Sequence, residues 1–105
     1  MSKMETLSLN EYRVRLIGVL GSSAGNRETT IHSPTRLVLS DLVAKLLKQV
    51  DKPQFQELLI DSSTGNPLPN VIILLDEHDC NLFQGLRTVL EPGTLVTIIP
   101  VAHGG

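Results

Sequence analysis

Aromatic side chains are scarce in this sequence of 105 residues, which contains no tryptophan. The three that occur are Tyr12, Phe55 and Phe83. Because 41% of the residues are hydrophobic and 19% are charged, the chain is predicted to be globular rather than disordered. A chain of this length forms one domain around a single core, here built from leucine, valine and isoleucine.

The sequence contains a single cysteine, and its lysines and arginines form no cluster. These two features argue against a disulfide-bonded protein and against a direct nucleic-acid binder. The single cysteine, Cys80, cannot form an intramolecular disulfide, which favours a reducing compartment. The net charge is −2, and the lysines and arginines are scattered along the chain. The clustered basic residues of a direct nucleic-acid binder are therefore missing.

Long hydrophobic runs are absent as well. The longest apolar run, residues 95–102, is too short to span a bilayer and contains Thr97 and Pro100. The first residues carry Glu5, Asn10 and Glu11 in place of the apolar stretch of a signal peptide. We therefore expect a cytoplasmic protein with no membrane partner.

The first half of the chain predicts a hairpin followed by a helix. Alternating apolar and polar residues predict a strand over residues 12–20, and residues 28–33 pair back on it after a turn at 21–26. Ser40 or Asp41 can cap a helix start. Apolar residues spaced by three and four then predict an amphipathic helix up to Val50. Its buried face contains Leu42, Val43, Leu46, Leu47 and Val50.

The second half predicts further strands. Residues 55–60 are a candidate short strand, and residues 71–75 are apolar throughout, which is typical of a strand buried on both faces. The turn at 91–93 precedes a last strand over residues 95–99. Strands around one helix indicate an α+β fold with a mixed sheet of four to five strands.

Two glycines, Gly104 and Gly105, stand directly after this last strand and a short connection. Read backwards from them, the sequence contains His103, Pro100, the apolar strand 95–99 and the turn 91–93. This run resembles the C-terminal half of the β-grasp sulfur carriers, namely the molybdopterin-synthase small subunit and the ubiquitin-related modifier. The resemblance extends over residues 12–105, and its specific part is the tail with the final strand.

The resemblance implies a ubiquitin-like, β-grasp organisation in three parts. Residues 1–11 are expected to form a flexible N-terminal arm, and residues 12–99 the β-grasp domain. Residues 100–105 are expected to form an extended C-terminal tail. Within that tail, Gly104, His103 and Pro100 would be recognised by an activating enzyme.

The resemblance also implies a chemistry in which this chain is a carrier and not an enzyme. In such families a separate E1-like enzyme uses ATP and Mg²⁺ to adenylate the terminal carboxylate, here that of Gly105. A donor of the rhodanese or cysteine desulfurase type then supplies sulfur, and the resulting thiocarboxylate serves tRNA thiolation or conjugation to lysines of target proteins. The chain itself is expected to bind no cofactor and no metal.

Two branches of the superfamily and one different class of protein remain open. The ending His103-Gly104-Gly105 is like that of the ubiquitin-related modifier, which we favour, whereas Pro100-Val101-Ala102 is like the small subunit of molybdopterin synthase. The third interpretation is a ubiquitin-like adaptor that binds its partners non-covalently.

Two further groups of residues are alternative candidates for a functional site. Cys80 follows His78 and Asp79, but neighbouring residues of a strand point to opposite faces, and a catalytic trio is normally assembled from distant segments. We therefore expect a partly buried, inert thiol at a strand start. Leu82 and Phe83 are a candidate docking patch, and the equal alternative is that they fill the core.

Overall fold

The computed structural model describes residues 9–101, in which a five-stranded mixed sheet packs against helices on one face. The strand order is β2-β1-β5-β3-β4, with β1 and β5 parallel and the other neighbours antiparallel. The predicted α+β class and the sheet on one main helix are confirmed. The strands are β1 (Asn10–Leu16), β2 (Glu28–Ser33), β3 (Val71–Leu75), β4 (His78–Asp79) and β5 (Leu95–Pro100). The helices are α1 (Val19–Ala24), α2 (Leu39–Val50) and α3 (Pro53–Leu59), with 3₁₀ turns at Cys80–Leu82 and Gly85–Arg87.

The inner face of the sheet forms the core with the helices. Alternate residues of each strand point inward, and α2 lies over them with Leu42 and Leu46 fully buried. The predicted face of α2 is confirmed, with Leu47 and Val50 at its partly buried margin. The buried apolar residues of the strands are Tyr12, Val14, Leu16, Ile31, Val71, Ile73, Leu75, Val96 and Ile98.

The start of α2 differs from the prediction of a Ser40 or Asp41 cap. The helix begins at Leu39, and the capping residue Val38 makes no side-chain hydrogen bond to it. The Leu39 amide instead donates to the Thr88 carbonyl over 2.9 Å. A distant loop therefore satisfies a helix-start group that local sequence usually satisfies.

The predicted strand over residues 12–20 is wrong beyond Leu16. The segment that looked like a turn is the short helix α1, in which Leu20 and Ala24 are buried one turn apart. Gly25 ends this helix with a left-handed conformation (φ 84°) and donates its amide to the Gly21 carbonyl over 2.9 Å. Burial of two apolar residues overrides the weak helix propensity of glycine and serine.

The candidate strand over residues 55–60 is also wrong, because α3 occupies this segment. Pro53 lies in its first turn, where a missing amide costs nothing. Phe55 and Leu59 are both fully buried, and their spacing of four places them on one helical face. This spacing fits one face of a strand equally well, and the signal specific to a helix start was Pro53 at the first helical position.

Strand β3 is where it was predicted, but it is not buried on both faces. Ile72 points to the outer face and is 42% exposed, whereas Val71 and Ile73 are buried. Helices cover only one side of the sheet, so an apolar residue on the other side remains in contact with solvent.

The strands of the sheet extend slightly beyond residues 12–99. Strand β1 begins at Asn10, so Asn10 and Glu11 pair with β2 and belong to the sheet rather than to an arm. Strand β5 includes Pro100. Residues 1–8 and 102–105 lie outside the described residues, as do the flexible arm and most of the extended tail expected there.

Membrane-spanning helices were not expected from the sequence. Within residues 9–101, no helix has the length and apolar character needed to cross a bilayer.

The Tyr12 hydroxyl is a buried hydrogen-bond junction at the centre of the fold. It accepts the Leu37 amide over 3.2 Å and donates to the Leu90 carbonyl over 3.3 Å. The Leu90 amide in turn donates to the Leu37 carbonyl over 2.8 Å. One side chain of β1 therefore connects the segment that precedes α2 with the segment that precedes β5.

Replacing Tyr12 by phenylalanine tests this junction. The ring is retained, but the Leu37 amide and the Leu90 carbonyl each lose a buried partner, so we expect a loss of about 1–3 kcal/mol of unfolding free energy. Urea unfolding measures the change, and Lys48→Ala on the exposed face of α2 is the control, with an expected change within about 0.5 kcal/mol. Equal stability of Tyr12→Phe and the wild type would contradict the assignment.

Candidate functional site

The C-terminal residues that the sequence singles out lie almost entirely outside the described part of the chain. Gly105, Gly104 and His103 fall among residues 102–105, so Pro100 is the one predicted site residue of the tail that is described. The site is therefore characterised from the tail root, by which we mean Pro100 and Val101 and their surroundings.

The tail root lies at one end of the sheet, where the central strand β5 ends between its two neighbouring strands. Strand β5 is flanked by β1 on one side and by β3 on the other. Pro100 pairs with Val71, and the Val101 amide donates to the Asn70 carbonyl over 3.0 Å. The Asn70 side chain donates to the Leu58 carbonyl over 3.3 Å, which connects the same residue to α3. The chain is thus anchored as far as Val101.

Gly18 shapes the other side of the tail root. It connects β1 to α1 with φ 58° and ψ −130°, a backbone conformation that residues with a Cβ rarely adopt. A Cβ added to Gly18 would lie 3.8 Å from Cγ of Pro100, so there is room for a side chain but the backbone would be strained. The turn after β1 therefore runs directly beside the exit of β5.

Three isoleucines, of which Ile17 and Ile72 are exposed and Ile99 is partly buried, form an apolar row on the outer face of the sheet at the tail root. Ile72 of β3 pairs directly with Ile99 of β5, and the Ile17 amide donates to the Ile98 carbonyl over 3.1 Å. Ile17 is 37% exposed and Ile72 is 42% exposed. We call Ile17, Ile72 and Ile99 the isoleucine row. Exposed apolar side chains grouped in this way are typical of an interaction surface.

The other half of the outer face is charged. Arg13 donates from Nε to the Glu28 carboxylate over 3.0 Å, and Arg15 Nε lies 3.9 Å from it. The Arg13 hydrogen bond holds the pKa of Glu28 below its ordinary value. His32 Nε2 lies 3.5 Å from the Glu11 carboxylate. The outer face therefore has a charged half on β1 and β2 and an apolar half on β5 and β3.

Leu82 and Phe83 are exposed, at 72% and 52%, so they do not fill the core. The Phe83 ring meets the His78 ring edge-on, with centroids 6.5 Å apart. His78 pairs with Leu75, whereas the tail-root residue Pro100 pairs with Val71 at the other end of β3. The Leu82–Phe83 patch is thus next to the β3–β4 turn and away from the tail root.

Cys80 is fully buried at the start of a 3₁₀ turn, and not partly buried at a strand start. Burial raises the pKa of the Cys80 thiol, and the charge of Asp79 raises it further. A reactive cysteine needs the opposite shift, a lowered pKa that favours the thiolate.

Residues 9–101 also contain no group of three or more His, Cys, Asp or Glu side chains that could hold a metal ion.

Sequence reasoning missed Ile17 and Ile72 as surface residues. Each stands next to buried apolar neighbours, and runs such as Val71–Leu75 do not reveal which face is covered. The available signal was the alternation of β1, in which Arg13 and Arg15 mark the outer face and Ile17 continues it.

Comparisons with known proteins identify the fold. No protein-family model matches the chain, and no curated protein matches it in sequence. Solved structures do match. The small archaeal modifier protein 1 from Methanosarcina acetivorans superimposes with a TM-score of 0.75 at 19% identity, covering 93% of this chain and 99% of that one.

Both branches suggested by the tail occur among these structures. Urm1 from Trypanosoma brucei matches with a TM-score of 0.70 at 24% identity, over 93% of this chain and 98% of its own. A putative molybdopterin converting factor subunit 1 from Pyrococcus furiosus matches with a TM-score of 0.68 at 18% identity, over 89% and 99%. The β-grasp fold is confirmed, and the structural neighbours come from the superfamily that the tail resembles.

The Cys80 environment predicts an inert thiol in the folded protein. Because the thiol is buried and its pKa is raised, we expect native protein at pH 8 to react with Ellman's reagent at least about 100-fold more slowly than protein in denaturing urea. Absorbance of the released thiolate measures both rates. Rapid labelling of the native protein would contradict the burial and would restore Cys80 as a candidate nucleophile.

Proposed function

We propose that this chain is a ubiquitin-like sulfur carrier and protein modifier whose reactive group is the Gly105 carboxylate. The observation that carries the proposal is the position of the tail root in a β-grasp fold. The last strand lies at the centre of the sheet and ends beside an exposed apolar row, with Gly104-Gly105 shortly after it in the sequence.

The chemistry begins with activation by a separate E1-like enzyme that uses ATP and Mg²⁺. A carboxylate is a poor electrophile, because its negative charge repels nucleophiles. Attack of a Gly105 carboxylate oxygen on the α-phosphorus of ATP releases pyrophosphate and forms an acyl-adenylate. The terminal sulfur of a persulfide on a donor of the rhodanese or cysteine desulfurase type then displaces AMP and forms an acyl disulfide. A second thiol attacks the donor's sulfur in that disulfide, which releases the thiocarboxylate and leaves a disulfide between the donor and the attacking thiol.

The tail suits this reaction by its reach and its shape. Residues 101–105 span at most about 17 Å when extended, enough to enter a buried active site while the body remains outside. Gly104 and Gly105 have no Cβ and fit a narrow channel. His103 would contact the activating enzyme, and Pro100 would hold the base of the tail in a fixed direction.

The isoleucine row is the surface that we expect the activating enzyme to hold. It adjoins the tail root, so a partner that covers it is placed next to the emerging tail. Leu82 and Phe83 remain a second candidate docking patch, separated from the root by the length of β3. Four steps along a strand correspond to about 13 Å.

Two fates of the activated terminus follow in the cytoplasm. The thiocarboxylate can give up its sulfur in tRNA thiolation. Alternatively, a lysine amine of a target protein attacks its acyl carbon, which breaks the C–S bond, expels sulfide and forms an isopeptide bond. The main alternative is a small subunit of molybdopterin synthase, which Pro100-Val101-Ala102 resembles. An adaptor that binds only non-covalently is the alternative from another class.

Deleting Gly105 tests the activation step. The body does not depend on this residue, so we expect an unchanged thermal melt and loss of ATP–pyrophosphate exchange with the cognate activating enzyme, to below about 1% of wild type. Exchange at the wild-type rate would refute adenylation at Gly105. It would also leave the non-covalent adaptor as the better interpretation.

Two charge substitutions distinguish the docking surfaces. Ile72→Asp is expected to raise the KM for the carrier in pyrophosphate exchange by about 10-fold or more, because it introduces a charge into an apolar contact. Phe83→Asp is the matched control at the other exposed patch, with an expected change below about 3-fold. The reverse ranking would assign docking to Leu82 and Phe83.

Mass spectrometry of tagged protein from native cells tests the two fates. We expect a sulfur-for-oxygen mass increase at Gly105, together with conjugates that resist reducing agent and vanish when Gly105 is deleted. Thiocarboxylate without any conjugate, even under oxidative stress, would favour the molybdopterin-synthase alternative. Conjugates without thiocarboxylate would indicate a modifier that is not a sulfur carrier.

A further inference from the structure

Strand β2 forms an edge of the sheet within residues 9–101. Its pairing with β1 determines which of its backbone amides and carbonyls point towards β1 and which point away from the sheet. The Leu16 amide donates to the Arg27 carbonyl over 2.7 Å, so the backbone groups of Thr29, Ile31 and Ser33 also face β1. The amides and carbonyls of Glu28, Thr30 and His32 therefore point away from the sheet.

This edge lacks most of the features that keep sheet edges from pairing. Its six residues contain no lysine and no proline, and the register with β1 is continuous without a bulge. Within residues 9–101, the side chain that hydrogen-bonds to this edge is that of Gln49. Its Nε2 donates to the Thr30 carbonyl over 3.0 Å and to Thr29 Oγ1 over 2.8 Å. Among residues 9–101, no hydrogen bond is formed to the other outward backbone groups, which can pair with another strand.

We propose that β2 pairs antiparallel with β2 of a second copy of this chain across a two-fold axis at Thr30, joining the two sheets into one. Three pairs of residues then exchange backbone hydrogen bonds. Thr30 meets Thr30 of the second copy, and Glu28 meets His32 of the second copy in two symmetry-related pairs.

The register follows from the outward-facing groups. Antiparallel partners must both offer outward amides and carbonyls, which restricts the pairs to Glu28, Thr30 and His32. A two-fold axis at Thr30 is the register that uses all three residues of both strands. A shift towards the C-terminus would place Glu28 opposite Pro34, which has no amide to donate.

Charge supports the same register. Within one copy, Glu11 pairs with His32, and Arg15 pairs with Glu28 on the outer face. The two-fold axis therefore builds a row across four strands in which Glu11 and His32 continue into Glu28 and Arg15 of the second copy. Signs alternate along this row when His32 is protonated, and its ring N–H can donate to the carboxylate in either protonation state.

The groups in this row can make the additional contact. Glu28 is 42% exposed and uses one oxygen for the 3.0 Å bond to Arg13, so the carboxylate keeps acceptor capacity for a further donor. The depressed pKa of Glu28 keeps it charged at neutral pH. His32 is 49% exposed in its side chain, so it needs no rearrangement of the core to meet a partner.

The pairing leaves the tail root and the isoleucine row open. Strand β1 separates β2 from β5, which places β5 about 10 Å from the paired edge. Pro100 lies at the Glu28 end of the sheet, and the two-fold axis reverses that direction in the second copy. The two tails would therefore leave opposite ends of the joined sheet.

Sedimentation equilibrium of the full chain up to millimolar concentration tests the proposal. We expect a reversible dimer that His32→Glu weakens by about 10-fold or more, because it places like charges opposite each other twice. His32→Gln keeps a side-chain donor at the same position and is expected to remain within about 3-fold of wild type. Thr30→Pro removes the central donor and is expected to abolish the dimer.

Hydrogen exchange locates the interface independently of these variants. The amides of Glu28, Thr30 and His32 are expected to exchange more slowly as protein concentration rises. Because Gln49 occupies the Thr30 carbonyl, Gln49→Ala offers an uncovered edge for the same measurements. A chain that stays monomeric at millimolar concentration, both as wild type and as Gln49→Ala, would overturn the proposal. So would a dimer that His32→Glu leaves intact, or one that Ile72→Asp abolishes.

Discussion

The parallel pairing of β1 with β5 is the contact on which the site depends, because it joins two segments that are far apart in the sequence. The pairing runs from Arg13 with Leu95 to Leu16 with Ile98 and makes the last strand a central one. A central strand is held on both sides, so its end has a fixed direction. The Val101 amide bonded to Asn70 extends this anchoring beyond the strand. Under the proposed function, this anchoring gives the tail a fixed origin on the body.

The helices support this arrangement through a few long-range hydrogen bonds. The Tyr12 hydroxyl connects β1 to the segments around Leu37 and Leu90, and the Thr88 carbonyl accepts the first amide of α2. The segment that leads into β5 is thereby attached to both the sheet and the main helix. In a core with few aromatic residues, the only tyrosine contributes a hydroxyl that aliphatic side chains could not supply.

Much of this fold follows from local patterns, and the exceptions have physical reasons. The spacing of Leu42 and Leu46 predicted α2, and the final strand and the tail motif pointed to the superfamily. The sequence did not reveal α1, because its glycine and serines favour a turn and only the burial of Leu20 and Ala24 makes it helical. The exposure of Ile72 was missed because an apolar run does not say which face the helices cover. The tail residues themselves remain predictions from the motif.

The division of the outer face gives the two surfaces different physical roles. The isoleucine row gains free energy by removing apolar area from water, so it suits a partner that covers it fully, next to the tail. The charged half on β1 and β2 gains little from such burial, since exposed ion pairs contribute about 0–1 kcal/mol each. Its value lies in specifying a register, because a strand paired with β2 places each charge opposite a defined neighbour. The two proposed partners, an enzyme on the apolar half and a second copy on the β2 edge, would therefore bind different residues and would not compete.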